Sequence, residues 1–86
     1  HYTQIKMKIT VDPVKKKRIL EEIDRVTAQE KNRVTVDGFK VTYQDGSWLL
    51  IRPSGTEPLL RVFAESRVRE RAEAIIQEYL ALIKTI

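Results

Sequence analysis

Apolar and polar residues alternate near the N-terminus, where every second position of the segment 5–11 is apolar. A period of two is typical of a strand with one buried face. Similar patterns predict further strands at 34–36, 39–43, 48–51 and 60–64. The dipeptides Asp37-Gly38 and Asp45-Gly46 separate three of these segments, and Asp-Gly is a strong signal for a tight turn. We therefore expect antiparallel hairpins in the second half of the chain.

Two other segments carry apolar residues at steps of three and four, the spacing of an amphipathic helix. The first begins at Asp12-Pro13, an N-cap followed by proline at the first helical position, and runs to about Gln29. The second follows Ser66, its predicted N-cap. The apolar stripes consist of Ile19, Leu20, Ile23 and Val26, and of Val68, Ala72, Ile75, Ile76, Tyr79, Leu80 and Ile83. The expected fold class is α+β, an antiparallel sheet of about four strands with both helices packed on one face.

The length of 86 residues indicates one domain, residues 1–86. A chain of this size buries about 60% of its unfolded surface, enough for one modest core. No apolar run approaches the ~20 residues of a membrane span, and no signal peptide opens the chain. Because it begins with His1 rather than methionine, we expect a piece of a longer protein. There is no cysteine, which excludes disulfides and thiolate metal sites and fits a cytoplasmic protein.

The net charge of +4 and the pI of 9.6 favour anionic partners: phosphorylated metabolites, nucleic acid or an acidic neighbouring domain. The basic run 15–18, Lys-Lys-Lys-Arg, is interpreted as a solvated helix face rather than a nucleic-acid contact. The aromatic residues Phe39, Tyr43 and Trp48 are expected to pack in the core or on the sheet. The aspartates are dispersed along the sequence, so we predict no metal site.

The segment 52–58, Arg-Pro-Ser-Gly-Thr-Glu-Pro, lies between two predicted strands and carries the most specific chemistry. Arg52 offers a planar fork of donors that matches phosphate oxygens. Ser54 and Thr56 add hydroxyl groups, and Gly55 lets backbone N–H groups approach an anion closely. The two prolines stiffen the segment, which reduces the entropy lost when a ligand orders it. These features predict a phosphate-binding loop.

The same segment and the following Leu-Leu-Arg-Val-Phe-Ala-Glu resemble the C-terminal, fourth domain of the α-D-phosphohexomutases. This is the phosphoglucomutase/phosphomannomutase family, which includes phosphoglucosamine mutase. The segments 2–8, 37–40 and 45–48 are also similar to that domain. The resemblance implies a fold like that of the TATA-binding protein. It also implies phosphate contacts by the loop residues Arg52, Ser54, Gly55 and Thr56, support from Arg61, and an orienting role for Glu57.

The resemblance implies an enzyme that interconverts hexose 1-phosphate and 6-phosphate through a bisphosphorylated sugar, with a phosphoserine and Mg²⁺. This chain has no Ser-His-Asn-Pro segment, no aspartate-rich loop and no Gly-Glu-x-Ser-Gly-His segment. We therefore expect no catalytic residue and no bound cofactor here, and Mg²⁺ only in the full-length enzyme. The predicted role is to hold the phosphate that does not react. The predicted partners are the phosphorylated hexose, its bisphosphate and the other domains of the polypeptide, without nucleic acid or membrane.

Two alternatives remain open at this point. The basic pI and the predicted sheet are also typical of a nucleic-acid-binding module, whose binding would depend steeply on salt. A regulatory domain that senses a phosphorylated metabolite would use a similar loop. Among hexoses, the sequence does not choose between glucose, mannose and glucosamine.

Overall fold

The computed structural model describes residues 1–86, which form an antiparallel sheet of five strands and two helices. The elements are β1 (Thr3–Thr10), α1 (Pro13–Thr27), β2 (Arg33–Val34), β3 (Phe39–Thr42), β4 (Trp48–Pro53), β5 (Leu59–Ser66) and α2 (Arg69–Lys84). The strand order is β1-β5-β4-β3-β2, with every neighbouring pair antiparallel. The predicted α+β class is confirmed, and the fifth strand is the two-residue β2.

Both helices cover the same face of the sheet, and the core lies between them and the central strands. Along β5, buried and half-buried residues alternate through the whole strand. The core cluster consists of Val11, Ile19, Ile23, Leu49, Ile51, Leu60, Val62, Ala64, Ile75, Ile76, Tyr79 and Ile83. Burying each large apolar side chain stabilises the fold by about 1.5–3 kcal/mol. The opposite face of the sheet carries no helix, and we call it the open face.

The start of α1 confirms the predicted N-cap. Asp12 Oδ1 accepts a hydrogen bond from Val14 N at 2.9 Å, and Pro13 occupies the first helical position. The helix ends at Thr27 rather than Gln29. Thr27 is buried, and its hydroxyl donates to the carbonyl oxygen of Ile23 at 2.8 Å.

The start of α2 differs from the sequence prediction. Ser66 is not the N-cap, because it is the buried last residue of β5, and its hydroxyl pairs with that of Ser47 at 2.9 Å. The N-cap is Val68, which has an extended backbone, makes no side-chain cap and is 54% exposed. Val68 therefore does not belong to the apolar stripe of α2. The strand runs further than predicted because β1 pairs with β5 as far as Ser66.

The β2–β3 hairpin also departs from the prediction. Only Val34 of the segment 34–36 is in a strand, and Val36 is 84% exposed in the turn. The last pair of the ladder joins Val34 to Lys40, which leaves the intervening residues for the connection. Gly38, with φ of +107°, makes the predicted turn.

The aromatic residues pack as expected. Phe39 and Tyr43 contact the core cluster. Trp48 lies on the open face, where its indole N–H donates to Glu65 at 3.0 Å and Lys40 Nζ is 4.9 Å from the ring centroid. No helix of the chain has the length and apolar composition that a membrane crossing requires.

Candidate phosphate-binding site

The 52–58 loop connects the two central strands of the sheet, with its first two residues at the end of β4. Its base is closed by a backbone hydrogen bond from Ser54 N to the carbonyl oxygen of Leu59 at 3.1 Å. Within the loop, the Ser54 hydroxyl accepts from Glu57 N at 3.2 Å. A short hydroxyl side chain that bonds the nearby backbone in this way stabilises a turn. The loop is thus shaped by its own hydrogen bonds.

Two of the predicted arginines lie side by side on the open face. Arg52 is directly opposite Arg61 in the β4–β5 register, and Lys8 is opposite Arg61 in the β1–β5 register. Residues directly opposite each other share a face, and like charges in that arrangement are destabilising. None of the three cations forms an ion pair with a carboxylate. A bound anion would relieve the repulsion within this basic row of Lys8, Arg61 and Arg52.

Backbone donors accompany the basic row. The N–H groups of Gly55 and Thr56 make no hydrogen bond within the chain, and both residues are exposed. The φ angle of Gly55 is not positive, and a Cβ at this position would meet nothing within 4 Å. The fold itself therefore does not require glycine here. An open space beside free N–H groups is what a closely approaching anion needs.

For the other predicted site residues, Ser54, Thr56 and Glu57, the structure shows fewer features that indicate an anion contact. The Ser54 hydroxyl accepts the hydrogen bond from Glu57 N, so its own proton remains free to be donated to a ligand. Thr56 is exposed. The carboxylate of Glu57 forms no ion pair with Arg52, and the residue contributes backbone atoms to the loop instead. Its orienting role stays a prediction.

Lys16, the one half-buried residue of the basic run 15–18, was not among the predicted site residues. Its Nζ donates to the carbonyl oxygens of Ser54 at 2.6 Å and Glu57 at 3.0 Å. The interpretation as a solvated helix face is therefore wrong for Lys16, although the other three side chains are exposed. Four cations at the positive end of a helix are unfavourable. In the sequence, this unfavourable run is the feature that indicates a bonding partner elsewhere for one of the four.

The start of α1 is joined to the loop in a second way. Val11 N donates to the carbonyl oxygen of Pro58 at 2.8 Å. Together the helix and the loop enclose a shallow concavity of about 280 Å³, lined by Pro13, Lys16, Gly55, Thr56, Glu57 and Pro58. The loop therefore has two sides, one facing α1 and the other facing away from it.

Lys8 was also missed, because its alternation marked it only as the polar face of a strand. Its place in the basic row depends on the register of β1 with β5. The two strands are separated by about fifty residues of sequence, and no local pattern fixes their register.

The chain is similar to known proteins over most of its length. Residues 7–82 match the family described as phosphoglucomutase/phosphomannomutase, C-terminal domain. The chain is 37% identical over 79 residues to a probable phosphoglucosamine mutase of Methanosphaera stadtmanae, covering 87% of this chain and 18% of the relative. It is 39% identical over 71 residues to a phosphopentomutase of Thermococcus kodakarensis, covering 81% of this chain and 16% of the relative.

A probable phosphoglucosamine mutase of Pyrococcus abyssi is 34% identical over 86 residues, covering 96% of this chain and 19% of the relative. The chain thus spans less than a fifth of the length of each of these three relatives. The family match, in contrast, extends over most of the chain and includes the loop, the basic row, α1 and most of α2. This chain belongs to the phosphoglucomutase/phosphomannomutase C-terminal domain family.

Proposed function

We propose that this chain clamps a phosphate group as the C-terminal domain of a phosphohexomutase, an enzyme that interconverts sugar 1-phosphates and 6-phosphates through a bisphosphorylated sugar. One observation carries the proposal. Arg52 and Arg61 lie opposite each other without an ion-pair partner, and the N–H groups of Gly55 and Thr56 in the adjoining loop make no hydrogen bond. Guanidinium groups and backbone N–H groups are the donors that bind phosphate in proteins. Lys8 adds a third positive charge to the row.

The clamp would act by orientation. Holding the phosphate at one end of the sugar converts binding energy into correct placement of the reacting end. Because the two ends of the sugar exchange roles, the site must recognise phosphate and ignore the ring. The relatives support this, since one is named as a probable phosphoglucosamine mutase and another as a phosphopentomutase. Sugar selection would then belong to another part of the enzyme.

The reacting groups would lie outside this chain. The chain contains no cluster of three or more His, Cys, Asp or Glu side chains that could hold a metal ion. We assign the phosphoserine, Mg²⁺ and sugar selection to the other domains of the polypeptide, in the cytoplasm. This domain would close over the substrate with them and exclude water from the reactive group.

The test is Arg52→Ala in the full-length enzyme, with sugar phosphate as substrate. Loss of a charge-assisted bond to phosphate costs about 1.5–3 kcal/mol, so kcat/KM should fall roughly 10- to 100-fold. We expect KM to rise because the bound substrate loses a contact to its phosphate, and kcat to fall because the reacting end of the sugar is no longer held in position.

The matched control is Arg69→Ala, which removes an exposed arginine paired only with Glu73 on α2. Its kinetics should stay close to those of the unmodified enzyme. Equal kinetics for the two variants would refute the clamp. No observation favours the nucleic-acid or regulatory alternative over this proposal.

A further inference from the structure

Lys16 is the one side chain outside the loop that bonds to the loop's interior. The bonds from its Nζ to the carbonyl oxygens of Ser54 and Glu57 measure 2.6 and 3.0 Å and bridge both ends of the turn. Both oxygens therefore face α1. Hydrogen bonds from a cation are the stronger kind, and the bond of 2.6 Å is slightly shorter than their usual length of about 2.7–2.9 Å.

The orientation of the Ser54 carbonyl fixes the neighbouring N–H group. A peptide unit is planar and trans, so its C=O and the following N–H point in opposite directions. With Ser54 O held toward Lys16, the N–H of Gly55 points away from α1. This N–H has no partner within the chain. The residue after Glu57 is Pro58, which has no N–H, so the second bond only anchors the end of the loop.

Without this tether, the Ser54–Gly55 peptide would be free to rotate. Glycine accepts a wide range of backbone angles, and no other hydrogen bond involves the Ser54 carbonyl or the Gly55 N–H. A rotated peptide would turn the carbonyl oxygen toward the side of the loop that faces away from α1. There its partial negative charge would repel a bound phosphate.

We propose that Lys16 is a positioning residue of the phosphate site: it holds two loop carbonyl oxygens toward α1 so that Gly55 N–H faces the anion. This inference rests on the proposed function of the loop. Lys16 acts through the backbone and does not touch the phosphate. The role also gives a function to a lysine at the positive end of a helix, where its charge is otherwise unfavourable.

The experiment is an amide NMR titration of the chain with inorganic phosphate, comparing Lys16→Met, Lys16→Arg and the control Lys17→Met. Lys17 is exposed on the same helical turn, and its side chain makes no hydrogen bond. Both methionine variants lose one charge. Thermal unfolding of each variant verifies that it is folded.

We expect Lys16→Met to shift the Gly55 and Thr56 amide resonances before any ligand is added and to weaken phosphate binding roughly tenfold. Lys17→Met should do neither. Lys16→Arg should restore part of the affinity, because a guanidinium can also donate to two carbonyl oxygens. The shift without ligand is a readout that simple loss of charge would not produce.

The outcomes separate the two proposals. If the unmodified chain binds phosphate and Lys16→Met binds it equally well, the positioning role is wrong and the clamp stands. If Lys16→Met and Lys17→Met weaken binding equally, charge alone matters and the positioning role is again wrong. If the unmodified chain shows no phosphate-dependent shift at the loop, the clamp itself is wrong, and the positioning role fails with it.

Discussion

At the scale of single residues, the chain uses glycine in two different ways. Gly38 has φ of +107°, and a Cβ there would lie 2.3 Å from the carbonyl oxygen of Ile51, so the fold requires glycine. Gly55 has no positive φ, and the space around it is empty. The first glycine serves the packing of a turn on β4, whereas the second leaves room for something outside the chain.

Replacing each glycine by alanine should separate stability from binding. We expect Gly38→Ala to lower the free energy of unfolding by roughly 2–4 kcal/mol, from backbone strain and overpacking together. Gly55→Ala should change it by less than about 0.5 kcal/mol. The same Gly55→Ala variant should weaken phosphate binding roughly tenfold, about 1.4 kcal/mol.

Urea unfolding measures the first two effects, and an amide titration with phosphate measures the third. Full phosphate affinity in Gly55→Ala would show that the empty space at this residue has no role in binding. Unchanged stability in Gly38→Ala would contradict the close contact with Ile51.

At the scale of the elements, α1 is attached to the sheet mainly through its beginning and its buried stripe. Asp12 caps the helix, Val11 bonds to the end of the loop, and Ile19 and Ile23 enter the core. The first turn contains no acidic residue, so the Asp12 cap is the only carboxylate at the positive end of the helix, where the lysines lie. Stability of the start of α1 therefore depends strongly on one side chain.

Asp12→Ala should lower the free energy of unfolding by about 1 kcal/mol, within a range of roughly 0.5–2 kcal/mol. Asp12→Asn is the matched control, because asparagine also caps helices well and should cost much less. Thermal and urea unfolding of both variants test this. Equal loss in the two variants would mean that the negative charge, rather than the cap hydrogen bond, is what stabilises α1.

At the scale of the whole molecule, the open face concentrates unpaired positive charge. Lys6, Lys8, Lys40, Arg52 and Arg61 all project from it, because each alternates in its strand with residues that face the core. Glu65 is the only acidic residue on this face of β5. Repulsion of this kind destabilises the compact state when no counter-charge is present. A bound anion should therefore stabilise the whole fold.

Inorganic phosphate should raise the melting temperature of the chain. At ten times its dissociation constant, a ligand that binds only the native state adds about 1.4 kcal/mol. In a domain of this size, each kcal/mol raises the melting temperature by about 4–8 °C.

Calorimetry in phosphate and in sodium chloride of equal ionic strength distinguishes specific binding from screening. The extra stabilisation by phosphate should be lost in Arg52→Ala. The same rise in both salts, or in Arg52→Ala, would count against a specific site.

Much of this molecule followed from local patterns. Apart from Val68, the helical stripes, the Asp12 cap and the two Asp-Gly turns are where the sequence predicted them, because periodicity, capping and turn formation depend on residues a few positions apart. The strand boundaries at Val34 and Ser66 were predicted wrongly, because pairing with a distant strand decides where each strand ends.

The fold class and the functional groups of the 52–58 loop could be predicted from the sequence, since both depend on short segments. The residues that gather around that loop became apparent only from the folded chain. Lys16 is 38 residues from Ser54 in the chain, and Lys8 meets Arg61 only through the register of β1 with β5. A short residue pattern specifies which bonds a side chain can form. Contacts between distant segments depend instead on strand register and on the packing of the whole core, and neither can be deduced from a short segment.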